Sequence, residues 1–181
     1  MLFVSHTDDL VALGDDLFVP SVVTIRDTTT LEPENGGLTV EVEAVFSSFL
    51  GRYRAARVSV EAEGDPFEVG GSTLRAIRIN EVLQEGLAQV VEFRLESGER
   101  WPFPLDASLA SYVVKSGPSS TAAMEWVSRI YRLAQAVRMR PAKAVQDQLG
   151  LTVPTASVWI RRARDRGYLE LAPTGGPDSD G

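Results

Sequence analysis

Between Thr121 and Gly167 the chain sets eight Arg and one Lys against only Glu125, Asp147 and Asp165, a net charge of +6. The whole chain carries −7, so everything outside that stretch sums to −13. Guanidinium forks match the oxygens of phosphates and carboxylates, and such opposition between halves suits a basic binding module joined to a different kind of domain. Residues for other chemistry are scarce. There is no Cys and a single His, His6, which removes thiolate catalysis, disulfides and Cys-ligated or multi-histidine metal sites. His6 lies beside Asp8 and Asp9 but reads as a solvated terminal residue without a role. Glu41, Glu43, Glu61 and Glu63 fall on the wet side of alternating segments, and no Lys-Ser/Thr follows Asn35-Gly36-Gly37 to make a phosphate loop. No catalytic constellation emerges, so the expectation is a protein that is not an enzyme and takes no cofactor or metal.

The elements that must position the basic residues follow from local chemistry. Pro141 suits a helix start, since a first-turn residue needs no partner for its backbone N–H. Val145 and Leu149 share one face of that helix, and Gly150 ends it in a conformation glycine adopts without steric cost. A second helix begins almost at once. Thr152 can cap it, Pro154 suits its first turn, Ala156, Trp159, Ile160 and Ala163 form a buried stripe, and Gly167 is its end.

The first helix, the Leu149-Gly150-Leu151 turn, the small Ala156 and Trp159 near the middle of the second helix resemble the helix-turn-helix superfamily of DNA-binding proteins. The pattern is particularly similar to compact actinobacterial or phage-type regulators, in which a Pro-x-Lys-Ala-Val helix precedes the turn; Arg164-Asp165-Arg166-Gly167-Tyr168-Leu169 fits their ending. The likeness covers about the C-terminal quarter of the chain. It departs from the pattern at Gln146, where the family usually has a small residue against the partner helix. The resemblance implies that residues 152–166 enter the major groove of double-stranded DNA. Thr152, Val153, Thr155 and Ser157 would then lie near base edges, with Val158 and Arg161 further along. Val153 and the Thr155 methyl suit thymine methyl groups, Ser157 either base type, and Arg161 a bidentate guanine contact. Lys143, Arg162, Arg164 and Arg166 are cast as phosphate contacts.

The rest of the chain reads as β-rich. Met1 to Val4 and Leu17 to Ile25 are candidate strands, the latter pushed toward an edge by Pro20. Asp27 to Gly37 is a loop. Leu38 to Phe46 and Arg57 to Glu63 alternate as an antiparallel pair, joined by Ser47 to Arg54, with Val58, Val60 and Ala62 inward. Arg52, Arg54 and Arg57 are expected to pair with the outward glutamates. Ser72 is a plausible cap for one or two helices over Thr73 to Glu85. Gln89 to Leu95 is either a strand or the continuation of that helix through Gly86, and Arg100 to Pro104 is a short return strand. Trp101 and Phe103 read as a core lid. Ala107 to Lys115 is a short helix leading out of the first domain, Ser116 to Ser120 is linker chemistry, and Ala122 to Arg138 is a support helix for the pair that follows.

The expected architecture is therefore α+β: an acidic β-rich domain at 1–115, a linker at 116–121, a three-helix helix-turn-helix domain at 122–171 without a winged hairpin, and a disordered acidic tail at 172–181. The expected role is DNA binding as a transcriptional regulator. One such module reads few bases, so a homodimer is expected, with the first domain supplying dimerisation or contact with a protein partner. No segment approaches the length needed to span a bilayer and no secretory leader opens the chain, which predicts a cytoplasmic protein without membrane contact. The alternative is an adaptor whose basic helices dock an acidic protein through Trp126, Trp159 or Tyr131.

Overall fold

The computed structural model describes residues 2–13, 17–29, 37–63, 69–90, 92–94, 98, 100–102 and 106–169. It is a mixed α+β chain, with antiparallel sheets in its N-terminal part and helices in its C-terminal part. Two compact units form, Met1–Ser47 with Arg52–Phe103, and Ser48–Gly51 with Pro104–Gly181.

The first unit contains β1 (Leu2–His6), β2 (Leu10–Ala12), β3 (Phe18–Pro20), β4 (Val22–Thr29), β5 (Gly37–Ser47), β6 (Arg52–Glu63), α1 (Gly71–Ala76), α2 (Ile79–Val90), β7 (Glu92–Arg94) and β8 (Arg100–Pro102). They make two antiparallel four-stranded sheets, ordered β1-β4-β5-β6 and β2-β3-β7-β8. The alternation of β5 works as expected: Leu38, Val40, Val42, Ala44 and Phe46 are buried, and α2 lies over β1, β4 and β5 with Leu83 and Leu87 inside. Gly86 permits that approach, because a Cβ there would stand 2.6 Å from three side-chain carbons of Ile25. Tyr53 joins the two sheets: its buried hydroxyl donates to the Pro20 carbonyl at 2.6 Å, and its ring meets Phe46 edge-on at 5.4 Å. Burial pushes the Tyr53 phenol well above its ordinary range, so it stays a neutral donor.

Several expectations for this unit change. Leu17 to Ile25 is not one strand: β3 and β4 belong to different sheets and part at Ser21, whose N–H donates to Asp9 at 2.7 Å. Pro20, the last residue of β3, has no N–H to donate to a ladder. The β5–β6 connection spans only residues 48–51, so Arg52 and Arg54 lie in β6. A bulge between Glu43 and Ala44 inserts Ala56 and reverses the parity of β6, so Tyr53 and Ala55 share the inner face with Val58 and Val60. Val58 is 37% exposed. Arg57 reaches Glu41 at 3.4 Å and Glu43 at 3.9 Å, and Arg26 reaches Glu61 at 3.9 Å, but Arg52 and Arg54 have no such partner among the described residues. β4 continues to Thr29, and the remainder of the expected loop lies outside the described residues. Ser72 caps nothing: α1 starts at Gly71, and Gly70 holds its N-cap. α2 runs through Gly86, leaving only Glu92–Arg94 as strand. The Trp101 side chain and Phe103 lie outside the described residues.

The second unit contains α3 (Ala107–Ser116), α4 (Thr121–Ala136), α5 (Pro141–Leu149) and α6 (Val153–Asp165). α3 packs on α4 and α5, so the bundle has four helices rather than three, and the chain divides near Phe103 rather than at 115. The expected linker at 116–121 is a tight connection within this unit. Gly117, at φ 78°, returns its N–H to Val114, and Ser120 caps α4 by accepting from Ala123 at 3.1 Å. α4 supplies the core: Met124, Val127, Ile130 and Leu133 are fully buried, against Val113, Val145, Leu149, Trp159 and Ile160 from the other helices. Leu169, also buried, follows α6. Where a wing or an acidic tail would follow, at 170–181, the residues are outside the described set.

Candidate nucleic-acid interface

α5 and α6 meet through a three-residue turn that the sequence builds twice over. Gly150 sits at φ 60°, and its N–H and that of Leu151 return to Asp147 and Gln146, closing a Schellman end. Thr152 then starts α6: its hydroxyl accepts from the Thr155 N–H at 3.4 Å and lies 2.8 Å from the Thr155 hydroxyl. One of these two hydroxyls therefore donates to the other. Ser157 donates to the Val153 carbonyl at 3.0 Å, which leaves its oxygen as an acceptor toward any ligand.

Rotation along α6 divides the expected contacts. At 100° per residue, Val153, Ser157, Arg161 and Arg164 fall within a sector of roughly 80°, while Thr155 and Arg162 project about 180° away from Val153. The first stripe borders α5. There a cleft of about 260 Å³ is lined by Arg140, Ala142, Lys143 and Gln146 of the α5 side and by Val153, Ala156 and Ser157 of α6. Lys143, Val153 and Ser157 thus come together, with Arg161 one turn beyond Ser157. Thr152 and Thr155 are occupied with capping, and Thr155 and Arg162 belong to the other side of the helix. Val153 is 62% exposed, an apolar side chain with nothing covering it at the lip of the cleft.

Two members of this surface are not among the contacts expected from sequence. Arg140 and Gln146 stand three residues either side of Lys143, a spacing that places all three on one helical face. Gln146 occupies the position where the family pattern has a small residue, yet it is half-exposed on the cleft lining and Ala156 is the buried side chain there.

The arginines of this unit are held in different ways. Arg164 donates to the Tyr131 hydroxyl at 2.9 Å with its guanidinium 5.3 Å from the ring centre. Arg166 donates to the Ser119 carbonyl at 2.7 Å and Arg132 to the Tyr168 carbonyl at 2.9 Å. Lys143 pairs with Asp147 at 2.6 Å, one turn along α5. Arg140, Arg161 and Arg162 have no partner among the described residues. Arg140 and Arg161 are exposed, and Arg162 is half-buried.

Elsewhere the features with chemical content are few. His6 is exposed with Nδ1 3.0 Å from the Thr7 carbonyl. Among the described residues no group of His, Cys, Asp and Glu is arranged to hold a metal ion, and no helix is long and apolar enough to cross a membrane. A second cleft, of about 210 Å³, lies in the first unit between the α1–α2 region and β4–β5, lined by apolar Leu38, Val40, Ile77 and Val82 with Asp27, Arg78, Glu81 and Glu85 at its margin. Comparison with protein-family models, curated proteins and solved structures found no match to the chain.

Proposed function

We propose that the chain binds double-stranded DNA through α5 and α6 in the manner of a helix-turn-helix protein, as a transcriptional regulator. The observation that carries this reading is the cleft in which Arg140, Lys143 and Gln146 of one helix face Val153 and Ser157 of the next, with Arg161 continuing the row. That face combines cations for phosphates with a short polar and apolar set for base edges. The contact set is revised accordingly. Arg140, Lys143 and Arg161 hold the backbone or a guanine edge, Val153 approaches a thymine methyl, and Ser157 and Gln146 serve as hydrogen-bonding groups. Arg164, fixed on Tyr131, keeps spare donors for a phosphate, whereas Thr155 and Arg162 stand outside the reading edge.

The same face supports DNA better than an acidic protein. Protein docking draws on large aromatic anchors, but Trp126 and Trp159 are only 7% and 4% exposed and Tyr131 already carries Arg164. The test is binding of the full chain to a pool of short mixed-sequence duplexes, followed by fluorescence anisotropy across a series of salt concentrations. The expected result is affinity that falls linearly on a log–log plot with a slope of about −3 to −4, as for a surface neutralising roughly four phosphates. A folded chain that binds no duplex at the lowest salt rejects the reading.

A further inference from the structure

Among the described residues the strand order of the first sheet leaves β6 at an edge, paired with β5 on one side only. It is twelve residues long, whereas the edge strands β1, β2 and β8 have five, three and three. A long edge with open N–H and C=O groups is a template for another strand, and charge on it decides which strand is admitted. Here the charge is divided along the strand: Arg52, Arg54 and Arg57 lie in its first half, Glu61 and Glu63 in its second.

We propose that β6 pairs antiparallel with β6 of a second copy, about a two-fold axis at Val58, making one continuous eight-stranded sheet. In an antiparallel pair, residues directly opposite each other point to the same face. Centred on Val58, and carried through the bulge at Ala56, this register sets Arg57 opposite Ser59, Val60 opposite Ala55, Arg54 opposite Glu61 and Arg52 opposite position 63. The inner faces of the two copies become continuous, and the partly exposed Val58 meets its counterpart at the axis. Every opposite-charge pair occurs twice by symmetry. A parallel arrangement would stack arginine on arginine and glutamate on glutamate.

The choice of centre rests on which arginines are engaged. An axis at Ser59 would ask Arg57 to face Glu61, but Arg57 already reaches Glu41 and Glu43 in its own sheet. Arg52 and Arg54 are exposed and have no partner among the described residues, and the axis at Val58 gives Arg54 one in Glu61, whose own contact with Arg26 is a loose 3.9 Å across exposed side chains. This interface stands apart from the DNA reading, and neither depends on the other.

The experiment is sedimentation equilibrium of the full chain across the micromolar range at low salt, with three variants checked for folding by circular dichroism. The wild type self-associates to a dimer. Arg54→Glu and Glu61→Arg each place like charges opposite one another twice and weaken the dimer by about tenfold or more. Mixing the two single variants restores association, because the mixed pair faces Glu at 54 with Arg at 61 on one side and the native Arg54 with Glu61 on the other. The double variant Arg54→Glu/Glu61→Arg also dimerises as a homodimer. A folded wild type that stays monomeric overturns the proposal. So does a dimer indifferent to both single variants, or a mixture no more associated than its components.

Discussion

In the sheet unit Arg26 and Arg57 lie against Glu61, Glu41 and Glu43 at 3.4 to 3.9 Å, while in the helical unit Arg132, Arg164 and Arg166 donate to two backbone carbonyls and a phenol. Both arrangements fix the position of a guanidinium. Only the first cancels its charge. A neutral acceptor orients the fork and leaves the positive potential intact, which is what a surface needs when its counter-ion is to come from a ligand. With only Glu125, Asp147 and Asp165 between 121 and 167, the helical unit has few means of cancelling its own field. Arginine content alone therefore says little; the nature of the acceptor separates a face whose charge is cancelled from one whose charge is left for a counter-ion.

The sharpest way to break this contrast is to remove the cations that line or extend the cleft. Arg140→Ala with Arg161→Ala is expected to lower affinity for duplex DNA by about a hundredfold and to flatten the salt slope by about two, while Arg57→Ala leaves both within about twofold. Anisotropy titrations of the three proteins decide it. Equal losses from both changes would mean that binding does not distinguish an arginine whose charge is left uncancelled from one paired with carboxylates.

Packing supplies a second contrast. The sheet unit seats α2 on a glycine, whereas the helical unit crosses α5 and α6 beside a buried alanine, Ala156. Gly86→Ala should cost about 2 kcal/mol in urea denaturation, because the added methyl meets Ile25 at 2.6 Å and the gain in helix propensity, roughly 1 kcal/mol, does not offset the overpacking. Pairing it with Ile25→Val relieves part of the overlap and should recover part of the loss. Tyr53→Phe comes next, at about 1 to 2 kcal/mol, since it leaves the buried Pro20 carbonyl without its donor at 2.6 Å.

How far these features were legible depends on whether a residue type declares its backbone. Gly150, Thr152 and Pro154 announce the α5–α6 turn, and the alternation of β5 announces its buried face, so both were readable. α4 ends without such a signal: Arg138 takes φ 64°, and the N–H groups of Arg138 and Met139 return to Gln135 and Ala134 at 3.1 and 2.8 Å, a Schellman end that usually carries glycine. The bulge at Ala56 falls in Arg54-Ala55-Ala56-Arg57, where no glycine marks it, so the inward place of Tyr53 could not be anticipated. α3 reads equally well as an exit from one domain or an entry to the next, because Leu109, Val113 and Val114 give an apolar stripe without naming its partner. The site was half legible. Val153, Ser157 and Arg161 follow from one face of α6 and Lys143 from its charge, but Arg140 and Gln146 require knowing which side of α5 borders that face, and Thr155 and Arg162 are near these residues in sequence but not in rotation about α6.

The smallest expected effect tests the capping of the helical unit. α4 and α6 are capped by the neutral hydroxyls of Ser120 and Thr152, whereas α3 is capped by the carboxylate of Asp106. The Ser108 hydroxyl, the Leu109 N–H and the Ser108 N–H all donate to that carboxylate, and together they hold it below the ordinary aspartate range. A carboxyl depressed in the folded state stabilises the fold above the unfolded value of about 3.9, and that contribution disappears as pH falls through the lower folded value. Acid should therefore loosen the first turn of α3 before those of α4 and α6, whose caps do not titrate. Amide hydrogen exchange at Ser108 and Leu109 should rise at acid pH beyond the trend of Ala123 and Thr155, and Asp106→Ser should abolish the difference while keeping a cap. A carboxyl carbon resonance of Asp106 that titrates at or above the ordinary aspartate value would show that the three donors do not hold it, and the contrast between charged and neutral caps would fall with it.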